Sequence, residues 1–533
     1  MKIKKLFLLI TILLLTGCFY VDELEPDNSS GIEVQPGGIT IASKGDVTFS
    51  ELQYNSTHNL HRLKNKEIYT LAAYYGKKNI GGSSYYSSSQ LPQLTGNGSV
   101  RTNRSSKSIN SGIQNEEQVY EDGQINADTF MRKLEQDILE KSRNELIKQA
   151  TVQNTIKTLP ELNSYRSFKV LTFNNYSSIV NVNAILLGIT EKALIYVDTR
   201  DIDILTKTIP ESTTETYIDN YALFFDKLYL KMHEWFGQEN DIDGNNRIII
   251  LFSRAMGEGV IGYFNPGDKY QGGWNSNYAD MFYINTKEEW QGSFIKVCIA
   301  HEFQHMIFFD MRTRNGVSTT ETWFNEALSA AAEYLTSQEF RIPAKNHKRW
   351  MSIGFLNGRW QGLSLTNWTQ NNYGYGGIFI RYIIDQYGTE IINSISNTTE
   401  KGITAIEQAT GEDFDEIFTN FTRALVMSGR IDEAHPQYNP KYMFTSVNLN
   451  KTYNTAEDDD YYSGFNVGRL MTSHTITQNA GKVYIKPVHY SINFSRWNLD
   501  FGFIDYDGYT SGNLPRIEMT KAALFAFKPG VYE

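Results

Sequence analysis

The stretch Ser293 to Phe309, SFIKVCIAHEFQHMIFF, decides the fold of this chain. It contains no proline or glycine, and its apolar residues recur with helical spacing, which predicts a helix with a wide apolar face. Two histidines four positions apart, His301 and His305, lie one above the other on such a helix and can chelate one metal ion. Glu302 lies about 100° further round the helix, beside the metal. This pattern is typical of zinc hydrolases, in which the carboxylate accepts a proton from the attacking water.

A third ligand is expected downstream, because a catalytic zinc takes three protein ligands and keeps one position open. The segment from Glu321 to Leu335 predicts a second helix, which can return antiparallel to the first. Glu326 in this segment is a candidate ligand, and Glu321 is its rival. The alternative for His301 and His305 is a pair of core histidines satisfied by hydrogen bonds.

The N-terminus predicts export and lipidation. Three lysines among the first five residues precede an apolar run, Leu6 to Leu15, which is too short to span a bilayer. The run ends in Leu-Thr-Gly-Cys18, which resembles the bacterial lipobox, in which the cysteine is diacylated and becomes residue one after cleavage. We therefore expect a lipid anchor on Cys18 and a place in the bacterial cell envelope, outside the cytoplasm, on the outer membrane or cell surface.

Composition narrows the class of protein. The chain has 533 residues, more than one hydrophobic core supports. A formal net charge of −10 without a long basic block argues against a nucleic-acid partner. Aromatic residues make up 13% of the chain, which favours a β-rich surface or secreted protein. With Cys18 lipidated, Cys298 has no disulfide partner; a small buried hydrophobe is favoured for it over a metal ligand.

Pattern and composition predict an α+β protein, in which a catalytic domain is flanked by β-rich N- and C-terminal regions. Short apolar alternation predicts strands near both ends, and a Ser- and Gly-rich tract predicts a linker between ordered parts. The predicted segments are a lipoprotein signal peptide (1–18), a tether (19–37), a β-rich segment (38–82), a low-complexity linker (83–127), an α+β region (128–204), the zinc metallopeptidase domain (205–443) and a C-terminal β domain (444–533).

An acidic loop precedes a predicted buried strand. Asp241, Asp243 and Asn245 alternate around Gly244, which is the start of a calcium-loop pattern. The later bidentate glutamate of an EF-hand is missing, so an Asx-rich turn is favoured, and Ca²⁺ binding stays open. The strand Asp280 to Asn285, just before the zinc-motif helix, is expected at a sheet edge, where it can pair with a substrate backbone.

Five segments together are similar to the hyicolysin-type bacterial zinc metallopeptidases, which are gluzincin-like. The similarity spans roughly Leu205 to Met443. The segments are Gly262 to Phe264, Asp280 to Asn285, His301 to Met306, Trp323 to Ser329 and Tyr373 to Gly388.

This resemblance implies a zincin-like domain, a mixed sheet plus active-site helices, with one zinc ion and endopeptidase activity on a protein or peptide substrate. It implies that His301, His305 and Glu326 are ligands and that Glu302 is the general base. Thermolysin-like gluzincins carry an aspartate four residues after the third ligand, where this chain has Ala330. Glu333 and Asp310 are the candidates for orienting a ligand histidine in its place.

The same resemblance suggests an oxyanion donor. Tyr373-x-x-Gly at a helix start resembles the position of the catalytic tyrosine in related gluzincins, and Tyr375 is the second candidate. An aromatic turn residue is the alternative for each. For the whole chain, the rival functions are a surface-binding lipoprotein (adhesin or scaffold) with a non-catalytic zinc site, and a zinc hydrolase acting on an amidated or acylated cell-wall component.

Overall fold

The structure is a computed structural model that describes residues 127–141, 159–173, 178–210, 212–257, 260–271, 275–287, 291–317, 321–342, 365–366, 373–427 and 439–447, with short strands before and after these ranges. The predicted signal peptide, the tether and Cys18 lie outside the described residues. Within them the chain is a mixture of helices and strands, as the sequence predicts.

In the described residues, the N-terminal part contributes five short strands and one helix. These are β1 (Thr48–Leu52), β2 (Thr57–Leu60), β3 (Ile68–Tyr74), β4 (Asn79–Ser83), β5 (Gln93–Gly96) and α1 (Ala127–Lys141). Strand β5 differs from the prediction, since it lies within the expected linker 83–127. Strand pairing uses main-chain groups that every non-proline residue carries, so a polar composition does not prevent it.

A six-stranded mixed sheet forms the centre of the described chain. Its strands, in spatial order, are β10-β11-β9-β8-β7-β6; β8, β9 and β11 run parallel, and the other pairs are antiparallel. The strands are β6 (Tyr165–Thr172), β7 (Ser178–Ile189), β8 (Ala193–Asp198), β9 (Ile248–Phe252), β10 (Gly262–Tyr263) and β11 (Met281–Ile284). The sheet therefore crosses the predicted boundary between 204 and 205, and the two regions share one sheet.

Strands β8 and β9 are buried along their whole length, which fits their apolar runs ALIYV and IIILF. Asp198, the last residue of β8, is also buried and accepts a hydrogen bond from Ser253. Alternate residues point to opposite faces. Ile195 and Ile250 join the larger core with the helices, whereas Tyr196 and Leu251 join a second cluster on the other face.

Helices cover the larger core. They are α2 (Ile202–Leu205), α3 (Tyr217–Phe236), α4 (Ser293–Arg314), α5 (Thr322–Glu339), α6 (Tyr373–Tyr387), α7 (Glu390–Asn397), α8 (Gly402–Thr410) and α9 (Phe414–Met427). Helix α4, which carries the zinc motif, packs against α3, α5, β10 and β11, and α6 packs against α5. No helix within the described ranges has the length and apolar character needed to cross a membrane.

Strands from the two ends of the chain pair with each other. The C-terminal strands are β12 (Lys482–Tyr484), β13 (Ser491–Phe494), β14 (Pro515–Ile517) and β15 (Lys521–Phe527), and the sheets are β1-β15-β3-β13, β12-β5-β2 and β14-β4. The segments predicted as a separate N-terminal part (38–82) and C-terminal domain (444–533) therefore share sheets. Local alternation identifies strands but not partners so distant in sequence.

The prediction that Asp280 to Asn285 forms an edge strand is wrong. Strand β11, within the predicted edge segment Asp280 to Asn285, lies between β9 and β10. The two-residue strand β10 pairs antiparallel with β11 and occupies the sheet edge next to α4. A strand this short carries too little alternation to be recognised in the sequence.

Candidate metal centre

Three buried side chains from two helices converge on one point. Helix α4 presents His301 and His305, whose ring centroids lie 4.7 Å apart, and α5 presents Glu326. The Oε2 atom of Glu326 lies 3.4 Å from Nε2 of His301 and 3.7 Å from Nε2 of His305. One atom from each residue lies within 4.8 Å of the others, so these three residues could hold a metal ion.

This donor set fits zinc. Two nitrogens and one carboxylate oxygen are ligands that zinc takes, and two ligands of a tetrahedral zinc lie roughly 3.3 Å apart. The Nε2–Oε2 distances of 3.4 and 3.7 Å are close to that spacing. Among the described residues Oε2 of Glu326 is buried without a hydrogen-bond partner. A buried carboxylate oxygen without a donor is costly, and a bound cation would satisfy it.

Helix α5 also orients the first histidine. Oε1 of Glu333 lies 2.6 Å from Nδ1 of His301. When this Nδ1–H donates to the carboxylate, the Nε2 lone pair is left for a metal. Of the two residues that the sequence suggested for this task, Glu333 contacts the ligand. Asp310 instead pairs with Lys269 at 2.8 Å and accepts a hydrogen bond from the backbone of Asn240.

The second histidine, His305, lies beside Asn325, Arg132 and Glu135, none of which the sequence pattern pointed to. Nδ1 of His305 lies 3.1 Å from Oδ1 of Asn325, whose Nδ2 donates to the carboxylate of Glu135 at 3.1 and 3.3 Å. Arg132 forms an ion pair with Glu135 at 3.2 Å and contacts Nδ1 of His305. Arg132 and Glu135 come from α1, in the region 128–204 for which the sequence predicted no site residue. No local pattern indicates these contacts, because Arg132 lies 173 residues before His305 and Glu135 lies 190 residues before Asn325 in the sequence.

Burial and neighbouring charges set the protonation of the site. Burial lowers the pKa of His301, but the neighbouring carboxylates of Glu326 and Glu333 outweigh it and raise that pKa well above its usual value. Burial, with the positive charge of Arg132, lowers the pKa of His305 well below its usual value. Burial also raises the pKa of Glu135 to about 7, against the opposing effect of Arg132. The site therefore brings several ionisable side chains close together where water has little access.

Glu302 lies at the sheet edge beside these residues. It follows His301 on α4 and is 8% exposed. Its side chain packs against Gly262 of β10, where an added Cβ would come within 2.9 Å of Cγ and 3.2 Å of Oε1 of Glu302. Glu302 is not part of the group that could share a metal. The structure thus brings a carboxylate next to the candidate ligands and to the edge strand.

The two tyrosine candidates occupy different places. Tyr373, half-buried at the start of α6, has its ring 6.4 Å from the ring of His301. Tyr375 is fully buried, and its ring stacks against Phe421 of α9 at 6.3 Å. Burial raises the pKa of the Tyr375 hydroxyl well above its usual value. The geometry favours Tyr373 as the residue that can reach the site.

Two other candidates lie apart from the metal group. Glu321 is exposed at the residue before α5, and its carboxylate lies beside Gly402, where an added Cβ would meet it at 2.7 Å. Cys298 is a buried core residue on α4, as favoured from the sequence. The group of described residues that could hold a metal contains neither of them.

Asn245 and Asp241 accept hydrogen bonds from the backbone of the acidic loop. Oδ1 of Asn245 accepts the backbone N–H of Arg247 at 2.7 Å, and Asp241 accepts backbone N–H groups of the same loop. Asp241 and Asp243 form a group with Asp280, whose ligand atoms lie within 4.8 Å of one another. Asp280 already pairs with Lys269. The loop therefore has the hydrogen bonds of an Asx-rich turn, and Ca²⁺ binding stays a prediction.

Comparison of the chain with known protein families and with curated proteins finds no match.

Proposed function

We propose that this protein is a zinc endopeptidase, anchored in the bacterial cell envelope through Cys18 and acting outside the cytoplasm. The observation that carries the proposal is the buried Oε2 of Glu326, which faces Nε2 of both histidines within 3.7 Å, with Glu302 next to them on the same helix. The resemblance to hyicolysin-type peptidases supports the same function and a zincin-like catalytic domain.

A zinc ion held by His301, His305 and Glu326 would supply Lewis-acid activation of water and of the scissile carbonyl. Glu302 accepts the proton of the attacking water and passes it to the leaving amine, which is the task of a positioned general base and acid. A non-catalytic metal site has no need of a carboxylate directly after its first ligand. This is the feature that favours hydrolysis over a purely binding protein.

Two further parts of the site suit a peptide substrate. Tyr373, near the ring of His301, donates a hydrogen bond to the developing oxyanion. Strand β10 lies at the edge of the described sheet, against the side chain of Glu302. An extended peptide that pairs with this edge places its backbone carbonyl near Glu302.

The test is hydrolysis of casein or gelatin by the purified full-length protein, with and without a zinc chelator. We expect cleavage that the chelator abolishes and added zinc restores. A protein that binds zinc but cleaves neither substrate would contradict the proposal and favour the surface-binding lipoprotein. Release of fragments from cell-wall material without proteolysis would instead indicate a different zinc hydrolase.

A further inference from the structure

We propose that Arg132 and Glu135 of α1 are positioning residues for the metal centre: Arg132 holds Glu326, and Glu135 acts through Asn325 to orient His305. The proposal rests on the metal centre of the proposed function. It makes α1, which lies far upstream in the sequence, part of the active site. Both side chains are buried, Arg132 at 3% and Glu135 at 1% exposure.

The first role concerns the two oxygens of Glu326. Nε of Arg132 lies 3.7 Å from Oε1, whereas Oε2 faces both histidines. A cation on one oxygen of a buried carboxylate leaves the other oxygen to bind the metal through a single atom. Arg132 is itself held by Glu135 at 3.2 Å, so the guanidinium has a fixed place.

The second role concerns the ring of His305. Asn325 Oδ1 can only accept, so its contact with Nδ1 requires a proton on that nitrogen, which leaves Nε2 free for a metal. Arg132 also contacts this Nδ1 and, because a guanidinium can only donate, it favours the opposite tautomer. The positioning role of Arg132 is therefore on Glu326, and that of Glu135 is on His305. Both carboxylate oxygens of Glu135 accept hydrogen bonds from Nδ2 of Asn325. These bonds fix the side-chain amide so that its Oδ1 faces Nδ1 of His305. Glu135 thus selects the metal-binding tautomer.

Packing alone does not account for this pair. Helix α1 already buries apolar side chains, including Met131, Ile138 and Leu139. Replacing a buried ion pair by apolar residues is often neutral or stabilising. A buried arginine and glutamate directed at two ligands therefore point to a role in the site.

The experiment measures the zinc affinity of the full-length protein by competition with a chromogenic chelator. We expect Arg132→Gln and Glu135→Gln to weaken zinc binding by about 10- to 100-fold, the usual effect of losing an outer partner of a ligand. Matched controls on the same helix, the exposed Lys133→Gln and Glu140→Gln, should bind zinc like the parent protein. Arg132→Lys, which keeps the charge, should recover part of the loss.

Melting of the metal-free variants separates this role from a structural one. A variant that melts at a lower temperature but binds zinc with the parent's affinity would overturn the proposal. Tighter zinc binding by Arg132→Gln would also overturn it, since Arg132 would then compete with the metal. If the parent binds zinc, the variants lose affinity and no casein is cleaved, the positioning role stands and the peptidase function fails. A parent protein that binds no zinc would overturn both.

Discussion

Glu333 and His301 are joined by a contact of 2.6 Å between Oε1 and Nδ1, from one helix to the next. Glu333 lies two turns after Glu326 on α5, so both carboxylates face α4. One helix thereby supplies a candidate ligand and the group that orients another. Glu333 lies three residues after Ala330, the position where the resemblance implies an aspartate, and its longer side chain reaches His301.

Replacing Glu333 tests this orientation. Glu333→Ala should weaken zinc binding by about 10- to 100-fold, because the His301 ring loses the acceptor that fixes its tautomer. Glu333→Gln should have a smaller effect, since its amide oxygen still accepts a hydrogen bond. Zinc titration of both variants measures the difference, and the half-exposed Glu339→Gln on the same helix is the control. Parent-like affinity in Glu333→Ala would show that the contact has no role in metal binding.

The identity of the third ligand is tested by two alanine variants. Glu326→Ala should purify without zinc, because it removes the oxygen that faces both histidines. Glu321→Ala should keep one zinc per chain, because Glu321 is exposed before α5 and lies beside Gly402. Metal analysis of the two purified proteins decides between them. Zinc loss in Glu321→Ala with retention in Glu326→Ala would reassign the ligand.

The oxyanion donor is tested at the two tyrosines. Removing one such donor typically lowers kcat by about 10²- to 10³-fold. Tyr373→Phe should show this loss with unchanged zinc content, because its ring lies 6.4 Å from that of His301. Tyr375→Phe should keep activity, because Tyr375 is buried against Phe421. The reverse pattern in peptide hydrolysis would assign the role to Tyr375.

The zinc-motif helix and the group of His301, His305 and Glu326 could be predicted because their signals are local. A four-residue spacing fixes two imidazoles on one helix face, and a short antiparallel return brings a carboxylate to them. The buried strand β9 and the capped helix α3 were predictable for the same reason.

What could not be predicted depends on contacts between distant parts of the chain. No local pattern indicates that β15 pairs with β1 and β3, or that Arg132 reaches His305. The edge position of β10 was missed because two residues carry no periodicity. In each case tertiary packing determines which segments come together, and the local sequence does not encode that packing.

Gly262 is expected to be needed as a glycine. A Cβ there would lie 2.8 Å from the backbone oxygen of Tyr283 and 2.9 Å from Cγ of Glu302, closer than packed atoms allow. Gly262→Ala should therefore displace β10 or Glu302 and lower peptide hydrolysis, while zinc content stays at one per chain. Overpacking of this kind typically costs about 1–3 kcal/mol of stability.

Gly376→Ala on α6 is the matched control for that change. Its Cβ would meet Ala327 at an ordinary 3.4 Å. Activity and thermal stability of the two variants should differ clearly, with Gly376→Ala at or above the parent's stability. Full activity in Gly262→Ala would show that the contact with Glu302 does not constrain the site.

Glu302→Gln is the variant on which the enzyme proposal depends. The amide keeps the size of the side chain and its fit against Gly262, but it cannot accept the proton of the attacking water. Zinc should remain at one per chain because His301, His305 and Glu326 are untouched, and proteolysis should fall by about 10²- to 10⁴-fold. Casein digestion at the parent rate would end the peptidase proposal. Loss of zinc would instead make Glu302 a ligand, because a neutral amide binds the metal more weakly than a carboxylate.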